Sequence, residues 1–459
     1  PLYGSDYTNR VVMSLMYQGL FAVDSKNNTT PILCSQYQVT PDNRTWTIYL
    51  EPNATFSDGT RVTVQDVVAS YEQARQNVYY KGRFTHIARV ELSSDGGVDF
   101  FLDTPYQNLA LLLDIPIVKA SEVTVDNPLG TGPYSLEDGI GGKHLQRVVG
   151  WWCSSDDLVA KDSSIALVEA ESPSQIRDEF EFSGLSVVCT NPQTDSYADY
   201  RCDFELWEVD SGFMMYIGCN VTYSKFFDDG TLRTFLTYGI DRQTLVDDNY
   251  GGLALPTTLP ISPMSPYYSK SLATNYDYDE MRFIDAASKF RVPTNDKGVP
   301  RTLQLLVNSD DSARLRCARN IAATLTELGL ACETVESPTS VYEARLQAAN
   351  YDIYLGITKL PTTADLSEFY RPWGEMSWGG LANETIYNMV NQSLADRGNY
   401  YNLHKLVADD GRIIPVMAGY YAIYAKRGVL SDLNPARDNV FYYTLGKTME
   451  SSKVATQFS

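Results

Sequence analysis

Residues 303–337 read LQLLVNSDDSARLRCARNIAATLTELGLACETVES, and this stretch decides the fold class. The apolar run 303–307 reads as a buried strand. Asp310 or Asp311 can cap a following helix. Leu315, Ala318, Ile321, Ala322, Leu325 and Leu328 then recur at helical spacing, which puts one apolar stripe on one face. Gly329 ends the helix, and a second strand starts at Leu330. A further helix reaches Ala349, and residues 351–357 read as a third strand. Strands alternating with helices imply a mostly parallel sheet with helices on its faces.

Working outward, residues 44–75 follow another rule. Trp46, Ile48 and Leu50 alternate with Thr45, Thr47 and Tyr49, as in a half-buried strand. Thr63 and Asp66 resemble a capping box ahead of Val64, Val67, Val68, Tyr71 and Ala74 at helical spacing. Gly130-Thr131-Gly132-Pro133-Tyr134 is glycine-rich, but it lacks the Lys and Ser/Thr of a phosphate loop, and its proline removes an amide donor. It reads as a tight crossing between lobes that leads into a strand at 134–136. Residues 213–219 read as a strand. A helix is expected from Thr231, with Leu232, Phe235, Leu236 and Ile240 on one face and Asp241-Arg242 near its end. The chain of 459 residues is too long for one core, so several lobes of an α/β protein are expected.

Composition excludes several functions. Net charge is −20, with 37 Lys and Arg scattered along the chain, which argues against nucleic acid and against an anionic membrane surface. No stretch approaches the roughly 18 apolar residues of a membrane span. Residues 109–118 are apolar but broken by Asp114 and Pro116, so they read as core. The start carries no signal peptide, and a removed export signal fits a chain numbered from Pro1. The 32 tyrosines suit Tyr-rich sheets, an adaptable binding cavity, or both. Of the seven cysteines, Cys189 and Cys202 flank a polar loop, where a disulfide or two thiols are both open. Cys317 and Cys332 sit too far apart along helix and strand to bridge. His86, His144 and His404 are isolated and read as core or surface residues. No G-x-S-x-G elbow, Rossmann fingerprint or Walker sequence occurs, so the chemistry points to binding rather than catalysis. The acidic pairs Asp228-Asp229 and Asp409-Asp410 read as solvated carboxylates at turns.

The order of motifs resembles the family 5 extracellular solute-binding proteins, the peptide and nickel class. Tyr17-Gln18-Gly19-Leu20-Phe21 followed by Pro31-Ile32-Leu33 is similar to the family's opening. Residues 37–71, with Phe56-Ser57-Asp58-Gly59-Thr60, carry its most specific signature. Residues 127–134, the helix ending in Ile240-Asp241-Arg242, Tyr351-Asp352 and Ile414-Pro415-Val416 follow in order. The resemblance implies an α/β chain of the type II periplasmic-binding-protein fold: two-lobed and hinged, with an extra domain on the first lobe. It implies a discontinuous lobe I (1–30, 131–230 and 421–459), an extra domain at 31–130, and lobe II at 231–420. Ligand is expected in the cleft, with the lobes closing over it.

The implied role is the binding component of an ABC importer, which hands short peptides to a membrane permease driven by its ATPase. No catalysis, cofactor, metal site or nucleic-acid partner is expected. A monomer is expected, in the periplasm or lipid-anchored outside the cytoplasmic membrane. Another solute (an oligosaccharide, opine or metal chelate), a cleft hydrolase or a signalling receptor are the alternatives. By position in the family, Ser5, Asp6 and Tyr7 are candidate ligand contacts. Many peptide binders hold the ligand's amino group with an Asp just beyond a strand ending in Gly-Trp. Here Ile357 stands where Trp is usual, and Thr358, Lys359, Leu360 and Pro361 follow without that Asp. Asp365 resembles the family's D-P-x-x-F element and can cap a helix. Lys359 can meet a ligand carboxylate or sit in solvent, and Arg371, Trp373 and Trp378 can line the pocket or pack.

Overall fold

The structure is a computed structural model that describes residues 1–3, 7–139, 142–153, 163–170, 172–182, 184–192, 200–430 and 433–440. The chain forms two units: Pro1–Val209 with Tyr421–Ser459, and Asp210–Tyr420. Both boundaries fall inside long strands, Phe204–Cys219 and Ile413–Lys426. Residues 210–230 lie in the second unit, where residues 213–219 pair antiparallel with Ile353–Lys359.

In the first unit, four antiparallel strands run in the order Cys34–Val39, Thr45–Leu50, Val98–Leu102 and Ile87–Leu92. Trp46 and Ile48 are buried as the alternation requires, while Leu50 is half-buried. Helix Val64–Ala74 lies beside this sheet. Its capping box is closed: Thr63 Oγ1 accepts from the Asp66 amide, and Asp66 Oδ2 accepts the Thr63 amide at 2.8 Å. The other oxygen of Asp66 accepts the Ala120 amide at 2.8 Å, so the cap also fastens the neighbouring chain. Tyr71 packs edge-on to Phe100 with ring centroids 5.0 Å apart. The apolar residues of 109–118 are buried, as expected of core.

The glycine loop is a crossing of two backbones within this unit, not a phosphate cradle. A Cβ on Gly130 would lie 2.0 Å from the Met16 carbonyl oxygen, and one on Gly132 would lie 2.5 Å from Met16 C. The Gly132 amide donates to Met16 O at 2.8 Å. Thr131 O accepts both indole N–H groups of Trp151 and Trp152, at 2.7 and 2.9 Å. The expected strand follows at Tyr134–Gly139 and pairs with Gly142–Arg147.

In the second unit, Leu303–Asn308 lies between Ile353–Lys359 and Cys332–Ser337 and pairs parallel with each, as the opening stretch requires. Helix Ser312–Glu327 buries Cys317, Ala318, Ile321, Ala322 and Leu325 against this sheet. The two candidate caps divide the work. Asp311 accepts the Arg314 amide at 3.0 Å, whereas Asp310 accepts the amide and hydroxyl of Thr339 at 2.9 and 2.7 Å and so holds the start of the next helix.

Three expectations need correction or completion. The helix from Thr231 stops at Phe235, a 3₁₀ turn covers Leu236–Gly239, and Asp241 caps a new helix, Arg242–Tyr250. The buried Arg242 donates to Pro415 O at 2.8 Å and to the carbonyls of Thr237 and Ile240, which an unbroken helix would consume. Second, the point left open closes on thiols: Cys189 and Cys202 form no bridge. Third, Asp409 and Asp410 are partnered: Tyr276 OH donates to Asp409 at 2.6 Å, and Arg233 and Arg412 pair with Asp410 at 3.0 and 3.1 Å.

His404 is fully buried, and neither ring nitrogen has a hydrogen-bond partner among the described residues. Burial lowers its pKa from 6.5 to about 3. The unfolded chain therefore binds the extra proton between these values, so folding stability falls as pH drops through that window, by roughly 1.4 kcal/mol per pH unit from this group. Urea denaturation of wild type and His404→Leu from pH 7 to 4 should show a shallower loss in the variant. Parallel curves would contradict the buried, neutral ring. Thr63→Ala should cost about 1 kcal/mol by the same measurement.

Candidate functional site

The second unit carries most of the residues proposed from sequence. Strand Leu303–Asn308 pairs with Ile353–Lys359 only at Ile353 and Tyr354. Residues 355–359 therefore pair with residues 213–217 along one side and have no paired strand along the other among the described residues. Ile357 and Lys359 project from this half-open end and are exposed. Facing them in register are Met215 and Phe213. The partner strand turns sharply just before this point, where Gly212 adopts φ +76° and its amide donates to Asp210 Oδ1 at 2.9 Å. Gly212 O then accepts the Leu360 amide at 2.8 Å, which fixes the exit of the Lys359 strand. Behind it, Tyr216 and Tyr354 share a hydroxyl contact of 3.3 Å, and burial pushes both phenols up.

Beyond the strand, buried Asp365 accepts the Ser367 amide at 2.8 Å and heads the short helix Ser367–Tyr370. Arg371 is half-buried, with its guanidinium 2.7 Å from Glu368. Trp378 is half-buried in a 3₁₀ turn, Trp378–Gly380, next to the loop at 220–222. Trp373 is 97% exposed. Its indole makes little contact within its own unit, unlike Arg371 and Trp378, which are half-buried.

The first unit holds the other candidates. Ser5 and Asp6 lie outside the described residues. Tyr7 is buried and stacks on Tyr421 with ring centroids 3.7 Å apart. One turn on, Arg10 donates to Tyr421 OH at 3.0 Å and to Asp438 at 3.3 Å, and its guanidinium lies 3.9 Å over the Tyr79 ring. Asp438 also accepts from Arg83 at 2.6 Å, and Arg83 pairs with Asp114. Burial lifts the Asp114 carboxyl above the usual range, and the Arg83 charge partly offsets this. A small cavity of about 50 Å³ borders Arg10, Ser14, Tyr17, Asp114 and Asp438. It has room for a few waters, not a solute. This network was not singled out from sequence. The one visible signal was Asp114, a charge inside an apolar run. Among the described residues no group of three or more His, Cys, Asp or Glu is arranged to hold a metal.

The sequence model of the bacterial extracellular solute-binding proteins, family 5 (middle region), matches residues 28–380. The chain belongs to this family. This family-5 protein is similar to the glutathione-binding protein GsiB of Escherichia coli O6:K15:H31, 25% identical over 299 residues, with 60% of this chain and 56% of the relative covered. The match thus spans little more than half the length of the curated relatives. Among solved structures, the periplasmic murein tripeptide-binding protein MppA in its unliganded open form superposes with a TM-score of 0.79, at 15% identity, over 97% of this chain and 94% of the other. HbpA2 from Haemophilus parasuis gives 0.78, at 15% identity, over 97% and 96%. The fold of this family-5 protein is therefore the α/β type II periplasmic-binding-protein fold, as the motif order implies. Family members are extracellular solute-binding proteins, and no helix among the described residues is long and apolar enough to cross a membrane.

Asp438→Ala should strip partners from two buried guanidinium groups and destabilise the protein by roughly 3–5 kcal/mol. Arg319→Ala, which breaks an exposed pair with Glu336 (2.7 Å), should leave stability nearly unchanged. Equal costs in chemical denaturation would show that the Asp438 network is not a structural anchor.

Proposed function

We propose that this protein captures short peptides outside the cytoplasm and delivers them to an ABC permease powered by its ATPase. The observation that carries the reading is the half-open strand end at 355–359. A strand flanked on one side only can accept an extended peptide backbone, which gives affinity without demanding a sequence. The relatives support a peptide ligand: by name, GsiB binds glutathione and MppA a murein tripeptide. The protein acts as a binder without turnover, as a monomer, in the periplasm or anchored by lipid to the outer face of the membrane. Its acidic charge suits a soluble, unassociated chain.

The site departs from amine recognition. Ile357 replaces the usual Trp, and no Asp follows within the next few residues. Lys359 instead offers a cation at the exposed strand end, so the ligand is anchored by its carboxylate. Arg371 and Trp378 are proposed to contribute to the same end. Tyr7, with Ser5 and Asp6 ahead of it, is proposed as a contact from the first unit.

Native mass spectrometry of the purified protein should release a mixed set of peptides. A single non-peptide mass would move the assignment to another solute, and conversion of a bound compound would make the protein an enzyme. Lys359→Ala should weaken peptide binding about tenfold, a loss of about 1.4 kcal/mol. Amidated peptides should already bind the wild type weakly and lose little more in the variant. Equal losses for free-acid and amidated peptides would remove Lys359 from carboxylate recognition.

A further inference from the structure

Strand Ile353–Lys359 turns its backbone groups alternately to its two sides. At one end the Asn220 amide donates to Asp352 O at 2.9 Å, and at the other the Leu360 amide donates to Gly212 O at 2.8 Å. Even-numbered residues therefore face the strand Phe204–Cys219, and Leu355 and Ile357 face the half-open side. On that side, strand Leu303–Asn308 pairs only as far as Leu306, opposite Tyr354, although it runs on through Val307 and Asn308. Where the pairing ends, the hydroxyl of Tyr342 donates to Leu355 O at 3.0 Å. Tyr342 is a buried residue of the helix Thr339–Gln347. That helix is fastened one turn earlier, where Asn308 Nδ2 donates to Thr339 Oγ1 at 3.0 Å and Asp310 accepts the Thr339 amide at 2.9 Å. The buried Arg314 guanidinium lies 5.4 Å from the centre of the Tyr342 ring. The ring is thus held by its hydroxyl, by its helix and by the cation over its face.

A phenol that occupies the Leu355 carbonyl leaves no acceptor there for a ligand amide, and its ring fills the space a ligand backbone would need. The next backbone groups on that side are those of Ile357, an exposed residue that no described strand meets. Further on, the Leu360 amide is committed to Gly212, and Pro361 has no N–H to offer. From Ile357 to Leu360 an extended chain rises about 10 Å, the length of roughly three paired residues. A ligand whose carboxylate lies at Lys359 runs back along this stretch with its amino end toward Tyr342. Residues added at that end meet the ring.

We propose that Tyr342 is the stop that sets ligand length, so that the protein selects peptides of about three residues and rejects extension at their amino end. The inference rests on the peptide reading above. Its test is calorimetric titration of wild type, Tyr342→Ala and Tyr342→Phe with trialanine, tetraalanine and pentaalanine, joined to hydrogen exchange at the wild-type Ile357 amide. Wild type should bind trialanine at least tenfold more tightly than pentaalanine. Tyr342→Phe keeps the ring and should keep that ratio, whereas Tyr342→Ala vacates the space and should bring the two within threefold. Trialanine should slow exchange of the Ile357 amide at least tenfold, a readout that needs no variant to fold. Equal affinities for the three lengths in wild type would overturn the stop and leave the peptide reading standing. So would a ratio unchanged in folded Tyr342→Ala, or bound trialanine that leaves Ile357 exchange as it was. If neither these peptides nor a mixed tripeptide library binds the wild type, the peptide reading itself falls, and the stop with it.

Discussion

The first unit depends on one contact, the passage of Gly130-Thr131-Gly132 across Leu15 and Met16. Two main chains come within hydrogen-bonding distance there, with no room for a Cβ on either glycine. Because the approach is so close, four segments meet at one point. Gly130 O accepts the Ser57 amide at 2.9 Å, Thr131 O holds both indoles, and the Tyr134 amide reaches Leu15 O at 3.2 Å. The most specific sequence motifs of the chain, at 56–60 and 130–134, are thus joined to each other, and their role is architectural. Any side chain at 130 or 132 would force the backbones apart and break these bonds together.

The buried charges add orientation to this frame. Two arginines and two aspartates share one interior network, and its two charges of each sign cancel. Such networks give little net stability against an apolar replacement, but each partner is costly to lose alone. What they fix here is direction. Arg10 holds Tyr421, Tyr421 faces Tyr7, and Asp438 ties a segment near the C-terminus to the helix Tyr7–Met13.

Local signals were the legible ones. The alternation at 45–50, the Thr63–Asp66 cap and the helical stripe of 312–327 each arise within a few residues, and each reads directly from sequence. The break after Phe235 does not, because its causes are tertiary: a Cβ at Gly239 would meet the Phe283 ring at 2.6 Å, and Arg242 needs carbonyls that a continuous helix would occupy. The Asp438 network joins residues 428 positions apart and leaves no periodic trace. The candidate site was legible only through resemblance, which pointed to the Lys359 strand. Sequence could not tell a half-buried indole, Trp378, from an exposed one, Trp373.

The buried thiols have a consequence of their own. Burial pushes Cys34, Cys317 and Cys332 up to about 12 and raises Cys219 as well, so the folded chain offers almost no thiolate from them. Their reaction with an alkylating reagent must wait for the surrounding structure to open. Cys34 lies in the first unit, and Cys219, Cys317 and Cys332 lie in the core of the second. The order in which these positions acquire label would therefore time the opening of each unit separately, a stopwatch that the protein carries without any engineered probe.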